Sequence, residues 1–225
     1  MKKTFGILLA LIGLSTAIFA QEQPSFRLSL GGGGSLTGNF STWKVDPDIP
    51  GNLNRYNSDH LSVGPYVFFD MKYLELNLGL ALGKLNGDDT QTGDPNFPAR
   101  TLALKGGAYL KLPFALSPTF TLFPLLGVDY DLYLHAVKDD DRKATFPISS
   151  GTQDAKPIEA LNTLWFKGGV GLDSFFTDHI FLRTELLYGV RLPSKMENYL
   201  SDQRSDVDWK LGHGGSINIA IGYRF

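Results

Sequence analysis

Hydrophobic and polar residues alternate in long runs along this chain, and the clearest run is Leu74-Glu75-Leu76-Asn77-Leu78-Gly79-Leu80-Ala81-Leu82-Gly83. Period-two alternation means a β-strand with one apolar face. Soluble strands hold it for about four to eight residues, whereas a tilted strand that crosses a membrane needs roughly nine to eleven. Seven more segments repeat the pattern. Apolar sets run through Phe26, Leu28, Leu30 and Leu36, then Leu61, Val63, Val67 and Phe69, then Leu102, Leu104, Ala108, Leu110 and Leu112. Further along come Phe120 to Leu134, Leu164 to Leu172, Ile180 to Leu192, and a last run through Trp209, Leu211, Ile217, Ile219, Ile221, Tyr223 and Phe225. The pattern predicts an all-β fold: a closed antiparallel up-and-down transmembrane β-barrel of about eight strands.

The connections alternate too. Short turns are expected near Asp70-Met71-Lys72, from Pro113 to Pro118, and near Phe176-Thr177-Asp178. Long polar segments fall at 37–59, 84–99, 138–159 and 193–207. Such sorting suits tight periplasmic turns and four long outer loops. Pro65 and Pro124 fall inside expected strands, so a bulge or a water contact is expected at each. The glycines at Gly31–Gly34 and at Gly212, Gly214 and Gly215 lie on the two strands that must meet to close the barrel, where close backbone approach favours them.

The polar register carries charge. Glu75, Lys105, Asp129, Asp131, Lys167, Asp173, Arg183, Glu185 and Arg191 all fall on the non-leucine face, as does His135. Facing lipid, each Arg or Lys would cost about 2–4 kcal/mol at the bilayer midplane. Facing inward they can pair, and counting from the turns sets Lys167 near Glu185, Arg183 near Asp173 and Lys105 near Asp129. An eight-stranded interior is just wide enough for side chains to fill it. A plug of salt bridges is therefore the expected reading, ahead of a charge-lined pore.

The N-terminus reads as a secretory signal over residues 1–20: Lys2 and Lys3, an apolar stretch from Phe5 to Leu14, and small residues from Ser15 to Ala20. The mature domain would then span 21–225. Its apolar run is too short for a spanning helix. Composition adds three limits. Mean hydropathy resembles that of a soluble protein, which a barrel tolerates because alternate residues face inward. There are no cysteines, so disulfides and thiolate chemistry are excluded. The formal charge is -2, and loss of Lys2 and Lys3 with the signal takes it to -4, which disfavours nucleic acid as a partner.

Catalytic signals are weak. His60, His135, His179 and His213 lack metal-ligand spacing, and His213 and Ser216 fall on opposite strand faces. No cofactor is expected. The runs Asp88-Asp89 and Asp139-Asp140-Asp141 read as hydrated loop acids, while Trp43, Arg55 and Tyr56 are candidates for a surface-loop contact.

The signal, the eight alternating strands, the loop asymmetry and the terminal aromatic together resemble small bacterial outer-membrane β-barrel proteins. The type is that of the OmpX/OmpA barrel, and the signal ending Phe-Ala-Gln is similar to the PorT-like outer membrane β-barrel group. That resemblance implies an outer-membrane location, lipid partners, and an assembly machinery that recognises Ile217, Ile219, Ile221, Tyr223 and Phe225. It also implies a structural, surface-binding or secretion-accessory role. A narrow pore and a barrel-embedded lipid-modifying enzyme are the alternatives.

Overall fold

The computed structural model describes residues 28–45, 55–88, 99–138, 161–192, 207–208 and 212–225. The expected segment 1–20, the start of the first apolar run at Phe26, and Asp89, Asp139–Asp141, Trp209 and Leu211 lie outside these residues.

Ten strands form one sheet: β1 (Leu28–Val45), β2 (Arg55–Met71), β3 (Leu74–Asp88), β4 (Ala99–Lys111), β5 (Phe114–Ser117), β6 (Phe120–Lys138), β7 (Thr163–Phe175), β8 (Ile180–Arg191), β9 (Val207–Asp208) and β10 (Gly212–Arg224). Eight of them are staves. Each pairs antiparallel with its neighbours, and β10 pairs with β1 to close the barrel. The four-residue β5 pairs with β6 below the end of β4 and continues that stave, so the segment from Pro113 to Pro118 holds a strand as well as a turn. The two-residue β9 pairs with the far end of β1.

The pairing register sets the barrel's dimensions. A row of paired residues from Leu30 passes through Phe69, Leu76, Ala108, Val128, Phe166, Val190 and His213, and returns to β1 at Phe40. It comes back ten residues further along, a shear of ten on eight strands. That shear tilts the strands by roughly 40° and gives a radius of about 8 Å. Each residue then climbs about 2.5 Å along the barrel axis.

Side-chain parity follows the leucine pattern. Leu78 is 51% exposed and faces outward, while its strand neighbour Glu75, of opposite parity, is fully buried. The outward face is almost wholly apolar from Tyr223 and Phe225 at one end to Leu82 and Leu61 near the other. By the climb per residue this band is about 25 Å tall, the height of an outer-membrane hydrocarbon layer. Aromatic rings mark its lower edge. Tyr223 meets Phe225 edge-on at 5.1 Å and stacks on His179 at 5.5 Å, and Tyr73 is exposed at the adjacent turn. Leu28 and Phe225, the described ends of the first and last staves, are joined at this edge by a backbone hydrogen bond of 2.9 Å.

Three expectations change. The strands run further than the loop assignments allowed, because β1 reaches Val45, β2 starts at Arg55 and β3 reaches Asp88. Trp43 and Tyr56 are therefore paired residues on strands, with Arg55 opposite Lys44, and not members of a loop. Neither proline produces a bulge. At Pro65 the β2–β3 ladder skips Gly64 and Pro65 without changing register, and Pro124, paired with Val170 of β7, lies where β6 passes from β4 to β5 and accepts from Leu112 N–H at 3.2 Å. The register shift between long staves falls at Leu102/Ala103, opposite Tyr133 and His135. There β6 changes phase: Tyr133 and Ala136 point inward, and His135 is exposed on the outer face.

Candidate functional site

Inward parity brings the charged residues together in two tiers. The lower tier is built on Arg183 of β8, which is fully buried. Its Nε and Nη2 donate to the two oxygens of Asp173 at 2.8 Å each, Nη1 donates to Glu75 at 2.7 Å, and Nη2 also reaches Asp70 at 2.6 Å. Lys111 pairs with the same Asp70 and lies 3.9 Å from Glu75. Glu185 lies 3.9 Å from Arg183 and accepts from Asn218 at 3.0 Å.

Aromatic rings close around these charges. The guanidinium carbon sits 4.1 Å from the Phe68 ring, 4.9 Å from Phe123 and 5.3 Å from Phe181, and the Lys111 ammonium is 4.4 Å from Phe123. A cation over an aromatic face keeps favourable electrostatics while water is excluded. The tier thus fills the lumen at the end where Leu28 and Phe225 meet. The tier is rich in acid: Asp70, Glu75, Asp173 and Glu185 gather around Arg183 and Lys111, and the Arg224 guanidinium lies 5.8 Å from the Phe181 ring just below. Asp70 Oδ1, Glu75 Oε1 and Glu185 Oε1 are buried without a hydrogen-bond partner among the described residues.

The upper tier sets Lys105, Lys167 and Arg191 against Asp129 and Asp131. Lys167 pairs with Asp129 at 2.5 Å, and the Tyr109 hydroxyl donates to the other oxygen of Asp129 at 2.5 Å. Trp165 Nε1 donates to Asp131 at 2.9 Å, and Lys105 donates to Ser62 at 3.1 Å. Arg191 lies at the top of the interior face, opposite Trp165 and packed over Gly212. Beside the upper tier lies a cavity of about 40 Å³ bounded by Thr37, Ser62, Tyr66, Lys105, Lys167 and Asn218. A space of that size holds a few waters.

All nine charged residues named from the sequence therefore occupy the interior register, but the partners differ in two cases. Lys167 bonds Asp129 across the β6–β7 pair; Glu185 lies opposite Gly171, four residues further down β7. Lys105 lies opposite Asp131 in register and bonds Ser62, not Asp129. Arg183 meets Asp173 directly across β7–β8. Asp70, Lys111 and the three phenylalanines complete the plug. They share the inward parity, but Asp70 and Lys111 abut turns, and parity alone cannot tell which end of the lumen is sealed.

The residues of the terminal pattern, Ile217, Ile219, Ile221, Tyr223 and Phe225, all face outward. His213 is on the outer face with its Nδ1 3.1 Å from the Tyr188 hydroxyl, and Ser216 is inside. Among the described residues no three metal-ligating side chains converge.

A family model described as "Outer membrane protein beta-barrel domain" matches residues 6–225. No curated protein sequence matches the chain. Solved structures similar in fold include OprG from Pseudomonas aeruginosa, at 14% identity and a TM-score of 0.47, covering 91% of this chain and 98% of that one. The outer membrane protease OmpT from Escherichia coli aligns at 10% identity and a TM-score of 0.41, covering 91% and 99%. Outer membrane protein W of E. coli aligns at 11% and 0.37, covering 86% and 98%.

Proposed function

Since the chain belongs to the outer membrane protein β-barrel domain family, we propose that it is a closed, non-enzymatic barrel of the outer membrane. On this reading its role, structural or in binding a surface partner or assisting secretion, is carried by the outer ends of the staves and their connections. The observation that carries the proposal is the Arg183 tier. A fully buried guanidinium held by three carboxylates and three phenylalanine rings occupies the periplasmic end of an interior about 8 Å in radius. Solute passage would require these bonds to break in low dielectric, where uncompensated charge is costly.

The outward apolar band supports lipids as the surrounding partner, and the C-terminal strand presents Ile217 to Phe225 as the element an assembly machinery would read. A narrow pore is the second reading, favoured by the polar cavity above the plug. Single-channel recording in planar bilayers separates the two. The wild-type barrel is expected to give no stepwise conductance, and regular open events from folded protein would favour the pore and sink the plugged reading.

A further inference from the structure

We infer that the cavity beside the upper tier is a binding site for a monovalent, halide-sized anion, seated on the Lys105 ammonium. Two walls of different chemistry face each other across this space. On one side the inward residues of β10, β1 and β2 are small and neutral. Ser216, Thr37 and Ser62 form one paired row, and Asn218 and Ser35 form the next row toward Phe225. On the other side β4, β6 and β7 present Lys105, Asp129 and Lys167.

Those three charges do not cancel. Asp129 is engaged on both oxygens, one by Lys167 and the other by the Tyr109 hydroxyl. Asp131, opposite Lys105 in register, accepts from Trp165 instead. Among the described residues the Lys105 ammonium makes one hydrogen bond, to Ser62 Oγ at 3.1 Å, and no ion pair. The lining therefore keeps one positive charge, and part-buried Lys105 carries it into the space. Water can satisfy the hydroxyls, but it leaves the charge of an ammonium inside the lumen uncompensated, which is costly.

The donors suit an anion. An ammonium has three N–H groups; Ser62 takes one and two remain. Hydroxyl hydrogens rotate to suit a partner, so Ser35, Thr37, Ser62 and Ser216 can all turn O–H groups toward it. Tyr66 lines the same space, is 6% exposed, and has a hydroxyl without a partner among the described residues. Size and charge then select the ligand. A volume of about 40 Å³ corresponds to about three water sites. That admits a single-atom anion with a water or two, and not the carbon skeleton of an organic acid. Asp129 in the lining, and Glu185 on the Asn218 amide at 3.0 Å, oppose a second negative charge. The site requires the closed lumen and goes beyond the role proposed above without depending on it.

The test uses the protein folded into neutral phosphatidylcholine vesicles and unfolded by urea, with chloride exchanged for gluconate at constant ionic strength. Gluconate is too large for the cavity. A ligand bound at one site of the folded state should raise the folding constant by about tenfold for each tenfold rise in its concentration above half-saturation. The wild type is expected to show this chloride dependence. Lys105→Gln, which keeps a hydrogen-bonding group beside Ser62, is expected to lose it. Ser62→Ala should weaken it, and Lys72→Gln, at the turn between β2 and β3, should keep it. A direct reading is chlorine NMR: the folded wild type should broaden the chloride line, and bromide but not gluconate should relieve the broadening, whether or not Lys105→Gln folds. Equal stability of the wild type in chloride and gluconate, a chloride response retained by Lys105→Gln, or no bromide-sensitive broadening would each overturn the proposal. None of these results bears on the plugged barrel, which conductance tests.

Discussion

Replacing Arg183 with methionine removes the charge that organises the lower tier but keeps much of the side-chain volume. Four hydrogen bonds disappear, with Asp70, Glu75 and both oxygens of Asp173. What remains is Lys111 against four buried carboxylates. Breaking a buried ion pair from one side costs about 3–5 kcal/mol, because the abandoned charge stays desolvated. Loss of the guanidinium from the Phe68 face adds about 1 kcal/mol more. The expected destabilisation is thus about 4–6 kcal/mol. Removing a carboxylate should behave differently. Glu75→Gln keeps an acceptor for Arg183 and relieves repulsion within an acid-rich cluster, so a change of about 1 kcal/mol or less is expected. Adding Glu75→Gln and Asp173→Asn to Arg183→Met should recover part of the loss. Urea unfolding in vesicles, followed by tryptophan fluorescence and extrapolated linearly to zero denaturant, measures all three. If Arg183→Met unfolds within 1 kcal/mol of wild type, or if Glu75→Gln costs as much as Arg183→Met, the reasoning fails.

Other expectations test the lipid face and the seam. Leu78→Arg, near mid-height of the apolar band, should destabilise the barrel by about 2–4 kcal/mol, whereas Leu82→Arg on the same face near the outer edge should cost about 0–1 kcal/mol; equal costs in vesicle unfolding would contradict the assigned membrane position. A methyl group added at Gly33 would run into the backbone of Ile219 and Ala220 across the β1–β10 seam, while one at Gly34 meets nothing within 4 Å. Gly33→Ala should consequently lose most of its heat-modifiable folded form, and Gly34→Ala should fold like wild type.

Much of the architecture is legible in the chain because a membrane barrel imposes one rule along every stave. Leu74 to Leu82 announce both strand type and lipid face, since an inward leucine would leave Glu75 in hydrocarbon. The same rule places Arg183, Asp173, Glu185 and Lys167 inside without any three-dimensional information. Partner choice escapes it. Parity says that Lys167 and Asp129 share an interior, but only the β6–β7 register sets them side by side. His135 fails for a related reason: one extra residue at a register shift inverts the parity of all that follows, and no local feature of Tyr133-Leu134-His135 signals it.

Height along the barrel shows the same division. The sequence by itself determined strand number, the lipid-facing residues and the polar character of the interior, because each depends on alternation of period two and on the cost of exposing charge to hydrocarbon. The tertiary structure alone decided how high each residue stands. Height depends on the shear of ten accumulated around eight staves, a quantity spread over every strand pair and written in no single segment. That accumulation is what draws Asp70 of β2, Lys111 of β4 and Arg183 of β8 to one level and closes the lumen there.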